Sequence, residues 1–333
     1  MKIDEKTGAI VSLKAAGIDA DLAAAKGGVA LNDYFYVPGK DPKDARRCGP
    51  VKIAVKEPGP LVASLLVESE APGCNKLTRE IRVCDGLDRV DIINIVDKKA
   101  VREKEGVHFG FAFNVPEGVM RMDLAWAVAR PEADQTPGAC KNWFTVQRWV
   151  DVSNADFGVT LATVDAPLVE VGSITAETPW IEHLKPSQTL YSYVMNNYWH
   201  TNYKAYQDGP TVFRYALRPH KALALEEAAR FGIGQSQPLV AAPAAGEAVA
   251  RPRLRVEPAG VIAATLKPSD DGKALIVRLF GASGKAEKAT LAWADPAPTA
   301  VSVSDISEKP GAAVTGPVDV PPWGLVTIRA ELP

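Results

Sequence analysis

The sequence predicts an all-β chain in two domains. Three observations carry this: short β-type runs recur between turn residues, helical periodicity is nearly absent, and composition changes abruptly at Ala241–Ala248. A length of 333 residues agrees, because single cores stop growing at about 250–300 residues.

Ile3 to Leu13 reads as strand, Thr7-Gly8 turn and second strand. Val62 to Glu70 follows. Leu77–Val83 and Arg89–Val96 form a hairpin whose turn is Asp85-Gly86-Leu87-Asp88, where glycine can take positive φ. His108 to Phe113 alternates large apolar with small residues before Pro116. Further strands are expected at Phe144–Val152, Phe157–Thr163, Leu190–Met195 and Val212–Leu217. Leu223–Phe231, rich in Ala, Leu and Glu, is the best helix, with Gly232 placed as its C-cap and the helix closing the first domain. The small-residue linker spans 236–250. Beyond it, Leu254–Glu257, Val261–Lys267, Ala274–Phe280, Ala289–Ala294, Ala300–Asp305 and Leu325–Ala330 read as six strands of a β-sandwich, with turns at Asp270-Asp271-Gly272 and Ala282-Ser283-Gly284. The domains expected are 1–235 and 251–333.

A formal charge of −2 gives no electrostatic reason to expect nucleic acid or an anionic membrane as partner. No apolar run reaches the ~18 residues of a membrane span. Met1-Lys2-Ile3-Asp4-Glu5-Lys6 lacks the apolar core of a signal peptide, and the abrupt start suits an excised fragment, so the compartment (cytoplasmic or periplasmic) stays open. Cys48, Cys74, Cys84 and Cys140 contain no C-x-x-C pair; buried thiols are the favoured reading, with a Cys74–Cys84 bridge left open for an oxidising compartment.

Local chemistry is sparse. His108, His183, His200 and His220 make no metal spacing, and there is no G-x-S-x-G elbow, P-loop or EF-hand. One stretch stands out. Tyr191 to Gly209 gathers five Tyr, a Trp, three Asn and a Gln. Amides meet sugar hydroxyls as donor and acceptor, and aromatic faces suit the C–H side of a pyranose. Lys141 to Asp151 is a second cluster, and on one strand Thr145, Gln147, Trp149 and Asp151 would share a face. Taken alone, each reads more simply as a self-supporting loop or an outer sheet face.

The same stretches resemble the C-terminal region of glycoside hydrolase family 38, the α-mannosidase family, over nearly the whole chain. They are Ile3–Leu13, Leu77-Thr78-Arg79-Glu80-Ile81-Arg82-Val83, Lys104–Phe113, Val146–Asn154, Gly158–Leu161 with Asp165–Glu170, Asn196-Asn197-Tyr198-Trp199-His200-Thr201-Asn202-Tyr203, and Phe213-Arg214-Tyr215 with Pro219-His220. The resemblance implies a galactose-mutarotase-like supersandwich over 1–235 and a smaller terminal β-sandwich. It implies a parent that is a retaining α-mannosidase acting on mannose-containing glycans, with nucleophile, acid/base and zinc in an upstream catalytic domain. No catalytic or metal residue is therefore carried onto this chain, which is expected to be inactive alone. Partners implied are that missing N-terminal domain, the parent's glycans and a second copy in a homodimer. Trp143, Gln147, Asn197, Trp199, His200, Asn202 and Gln207 are the candidates for substrate-facing or domain-interface positions. The alternatives are a stand-alone carbohydrate-binding module, which would show an exposed aromatic platform, and an aldose epimerase-like or lyase enzyme of the same fold. An epimerase would show a pocket with a His and a carboxylate reaching one point.

Overall fold

The computed structural model describes residues 1–23, 28–175, 178–199, 204–243, 245–246 and 252–333. The chain divides into two compact units, Met1–Leu223 and Ala224–Pro333.

The first unit is a two-layer antiparallel sandwich. Its larger sheet has nine strands in the order Ala127–Ala129, Val119–Leu124, Trp149–Ser153, Gly158–Thr163, Gly209–His220, Val90–Lys98, Cys74–Cys84, Val62–Ser69 and Val51–Pro58. The smaller has five, in the order Phe144–Thr145, Leu168–Val171, Thr189–Asn196, Glu105–Ala112 and Asp33–Pro38. This is the supersandwich expected. The core lies between the sheets: Val107, Phe109, Phe111 and Leu190 from the smaller meet Leu77, Ile81, Ile92, Val96, Val150 and Leu161 from the larger. Period-two alternation produces this, because every second side chain of a strand points to the same layer. The Cys74–Cys84 and Val90–Lys98 hairpin closes at Gly86, φ +75°. Its inward face also carries Arg79 and Asn94, both fully buried. Asn94 exchanges two amide hydrogen bonds with Asn32, and Arg79 donates to the carbonyls of Thr7 and Asn32. Hydrogen-bonded burial of this kind removes the large cost of an unpaired polar group in a core.

Two expectations are corrected here, and one point that the sequence left open is decided. The run Phe144–Val152 is not one strand: Phe144–Thr145 pairs in the five-stranded sheet and Trp149–Ser153 in the nine-stranded one. Thr145 and Gln147 are exposed, whereas Trp149 and Asp151 are buried, so the four do not share a face. Cys74 and Cys84 are the two ends of one 11-residue strand. At about 3.3 Å per residue their Cα atoms stand roughly 33 Å apart, far beyond the ~7 Å limit for a disulfide, and all four cysteines are free.

The helix spans Leu225–Ser236 and falls in the second unit, so it does not close the first. Arg230 Nη2 donates to the carbonyls of Ala259 and Val261. Gly232 is a buried interior residue, not the cap, because the face Ala228, Ala229, Phe231 and Gly232 packs inward and carries the helix past it. Tertiary burial outweighs the ~1 kcal/mol helix cost of glycine. The rest of this unit is a sandwich of a three-stranded sheet, Leu254–Glu257, Glu287–Trp293 and Val318–Val320, on a four-stranded one, Val261–Pro268, Ala274–Gly281, Leu325–Glu331 and Ala300–Ser304. Val261, Val277, Leu279 and Ile328 pack on Ala289, Val318 and Val320. Among the described residues, no helix is long and apolar enough to cross a membrane.

Candidate functional site

The smaller sheet of the first unit buries both of its faces. All eight residues of Glu105–Ala112 are buried. Val107, Phe109 and Phe111 enter the main core, so His108 points outward with Gly106 and Gly110. Outward neighbours Phe35, Val37, Tyr191 and Tyr193 form a second apolar cluster with Ile174 and Tyr198. Within it, His108 and Glu170 are fully buried and paired, Nε2 to Oε2 at 3.0 Å. The His108 ring stacks on Tyr193, centroids 4.5 Å apart and planes 10° apart.

Residues 140–143 lie against 174–175 and 178–181 and are locked to them. Glu170 Oε1 accepts from Thr175 N at 2.8 Å, and Thr175 Oγ1 lies 2.7 Å from Glu170 Oε1 and 2.9 Å from Asn142 O. The Asn142 side chain donates to Thr178 Oγ1 and Pro179 O and accepts from Ile181 N. Trp143 follows at once. On the other side Asn197 acts as a clamp. Its Oδ1 accepts from Glu105 N at 2.7 Å, and its Nδ2 donates to Val101 O and Glu103 O at 2.9 and 2.8 Å. Tyr198 is buried and Trp199 is 42% exposed. Trp199 meets Tyr198 edge to face at 6.2 Å and Trp143 at 6.0 Å, the latter with planes at 76°. Two indoles on anchored segments thus form an open corner. Trp180, 63% exposed, lies within 178–181 and donates from Nε1 to Gly138 O.

Of the predicted site residues, Trp143 and Trp199 come together. Asn197 does not face a ligand: it is buried and its amide is committed to three main-chain groups. Gln147 and Gln207 are exposed. Gln147 N binds Asp123 O, at the nine-stranded sheet. His200 and Asn202 lie outside the described residues. The sequence reading passed over His108, Glu170, Asn142 and Thr175. The available signal was a histidine at an outward position of a strand with no exposed residue.

Neither histidine–carboxylate pair of the sheets offers an acid/base centre to a sugar. His108 and Glu170 have no exposed surface. His220 borders a cavity of about 440 Å³ with Leu13, Ile18 and Arg89, but its Nε2 lies 2.7 Å from Asp151 Oδ2 and its Nδ1 2.8 Å from Lys221 O. Both ring nitrogens are already engaged. Burial pushes Asp33 up to about 6 against the pull of Arg47, and Asp123 up to about 7. Glu132 is held down to about 2 by the Leu184 amide, Lys141 and His183. Among the described residues, no three His, Cys, Asp or Glu side chains gather to hold a metal ion.

Fold and site together define an all-β, two-unit region with an anchored aromatic surface. Residues 260–328 match the model of the glycosyl hydrolases family 38 C-terminal beta sandwich domain. A protein in glycosyl hydrolase family 38 from Enterococcus faecalis is 14% identical with a TM-score of 0.68, over 91% of this chain and 40% of its own. An α-mannosidase from Enterococcus faecalis V583 is likewise 14% identical, with a TM-score of 0.69, over 91% of this chain and 39% of its own. At that identity the likeness establishes the fold. The chain spans about two fifths of the length of these structures, and it resembles the C-terminal region of family 38 enzymes. None of the curated proteins compared with it matches.

Proposed function

We propose that this chain is the C-terminal β region of a family 38 glycoside hydrolase, and that the parent is a retaining α-mannosidase acting on mannose-containing glycans. In this reading an upstream catalytic domain carries nucleophile, acid/base and zinc, while the β region supports the active site and contributes to glycan binding. The observation that carries it is the match of residues 260–328 to that family's C-terminal domain. The two-unit β fold, shared over 91% of the chain, supports it.

The Trp143–Trp199 corner is the surface assigned to the glycan. Indoles bury large apolar area and offer flat faces to pyranose C–H groups. Exposed Trp on segments fixed by buried amides loses little freedom on binding.

The test is hydrolysis of an aryl α-mannoside by this chain, with and without added zinc, alongside calorimetric binding of a mannose oligosaccharide. The expected result is no turnover in either condition and binding weakened at least tenfold by Trp199→Ala. Zinc-dependent turnover would mean the chain holds its own active site. Unchanged oligosaccharide binding in Trp199→Ala, with loss of association to the catalytic domain, would reassign the corner to an interface.

A further inference from the structure

The buried His108–Glu170 pair lies under the aromatic corner and has no exposed side-chain surface. Two routes run from it to the two indoles. Through Glu170 Oε1 and Thr175, it reaches the Asn142 carbonyl, one residue before Trp143. Through the His108 ring, it reaches Tyr193 by stacking and Tyr198 by close packing over Gly106. A Cβ at Gly106 would lie 3.0 Å from His108 Cε1, 3.2 Å from Tyr198 Oη and 3.4 Å from Tyr193 Cε2. Glycine is thus what lets these three rings converge. Tyr198 in turn supports Trp199.

We propose that His108 and Glu170 are positioning residues for the Trp143–Trp199 corner, fixing both aromatic segments from beneath. The physical reason is directional. An apolar pair of equal volume would fill the space, and is often no less stable than a buried ion pair, but it would hold neither the Thr175 amide nor the Asn142 segment at a set distance. The two Glu170 oxygens divide the task, Oε2 for His108 and Oε1 for Thr175. The proposal rests on the reading of the corner as a glycan-contacting surface for its purpose, though not for its structural test.

The experiment compares Glu170→Leu, Glu170→Gln and Thr175→Val in the full chain. The Trp199-dependent near-ultraviolet circular dichroism is isolated by subtracting the same variant carrying Trp199→Phe. Glu170→Leu is expected to lose most of that signal while keeping the far-ultraviolet β spectrum, and to weaken mannose-oligosaccharide binding about tenfold. Glu170→Gln, which keeps an acceptor for Thr175, is expected to restore at least half of both. Should Glu170→Leu fail to fold, Thr175→Val removes only the hydroxyl link and is expected to reduce the signal by itself. A Trp199-dependent signal unchanged in Thr175→Val, and unchanged in a folded Glu170→Leu, overturns the proposal. Absence of oligosaccharide binding by the unaltered chain would instead sink the glycan reading, leaving the positioning role to be decided by the spectroscopic signal.

Discussion

Replacing Asn197 with alanine isolates the anchor of the Trp199 segment. The carboxamide makes three main-chain hydrogen bonds, two as donor to Val101 and Glu103 and one as acceptor from Glu105. Each is worth about 1 kcal/mol net, and a buried group left without a partner costs more. The expected loss is therefore about 3 kcal/mol, well above the ~1 kcal/mol typical of a point substitution. Two readings suit it. Urea unfolding followed by tryptophan fluorescence reports mainly the first unit, which holds five of the seven tryptophans, Trp126, Trp143, Trp149, Trp180 and Trp199, with Trp293 and Trp323 in the second; site-resolved amide exchange reads the clamp directly. The Glu105 amide, which donates to Asn197 Oδ1, should exchange about 100-fold faster, since roughly 1.4 kcal/mol corresponds to a factor of ten. Asn197→Asp keeps the acceptor but loses both donors and adds charge near Glu105, so it should be no milder. A loss below about 0.5 kcal/mol with an unchanged Glu105 exchange rate would refute the clamp.

Three further outcomes follow from the geometry. Asp33, pushed up to about 6 from 3.8 by burial, keeps in the fold a proton that the unfolded chain has lost. Stability should therefore fall as pH rises from about 4 to about 6, by about 3 kcal/mol at roughly 1.4 kcal/mol per pH unit; Asp33→Asn should flatten that limb of a melting-temperature profile, and an unaltered slope would contradict the assignment. Gly8, at φ +68°, has Arg79 Nη2 2.3 Å and Val67 Cγ1 2.5 Å from where a Cβ would sit, so Gly8→Ala should lower stability by about 2 kcal/mol or more by strain and overpacking, measured by chemical denaturation. Oxidative refolding followed by peptide mapping should recover no Cys74–Cys84 bridge; finding one in native protein would contradict the continuous strand between them.

The sheet architecture was legible where alternation was regular. Leu77–Val83 alternates buried Leu77, Arg79 and Ile81 with partly exposed neighbours and is a strand; Gly158–Thr163 is buried throughout and Ala274–Phe280 is largely apolar, and both were legible from the turn residues that bound them. Asp33–Pro38 escaped because it is buried on both faces, and a short apolar run without alternation has no distinctive period. Phe144–Val152 misled for a related reason: the local pattern suits a strand throughout, and only tertiary pairing shows that its halves serve different sheets. At the site, aromatic composition pointed to Trp143 and Trp199. It could not separate Asn197, whose amide faces the main chain, from an amide that faces solvent. Glu170 and His108 were illegible together, since nothing local links residues so far apart in sequence.

The crossing at 146–148 has a mechanical consequence. Val146 N binds Pro167 O, beside the smaller sheet, and Gln147 N binds Asp123 O, on the larger. Adjacent residues are thus stitched to opposite layers. Peeling one layer away would have to break this seam first, so the two should open together as one cooperative unit, with amides of Leu168–Val171 and Trp149–Ser153 sharing a common exchange free energy.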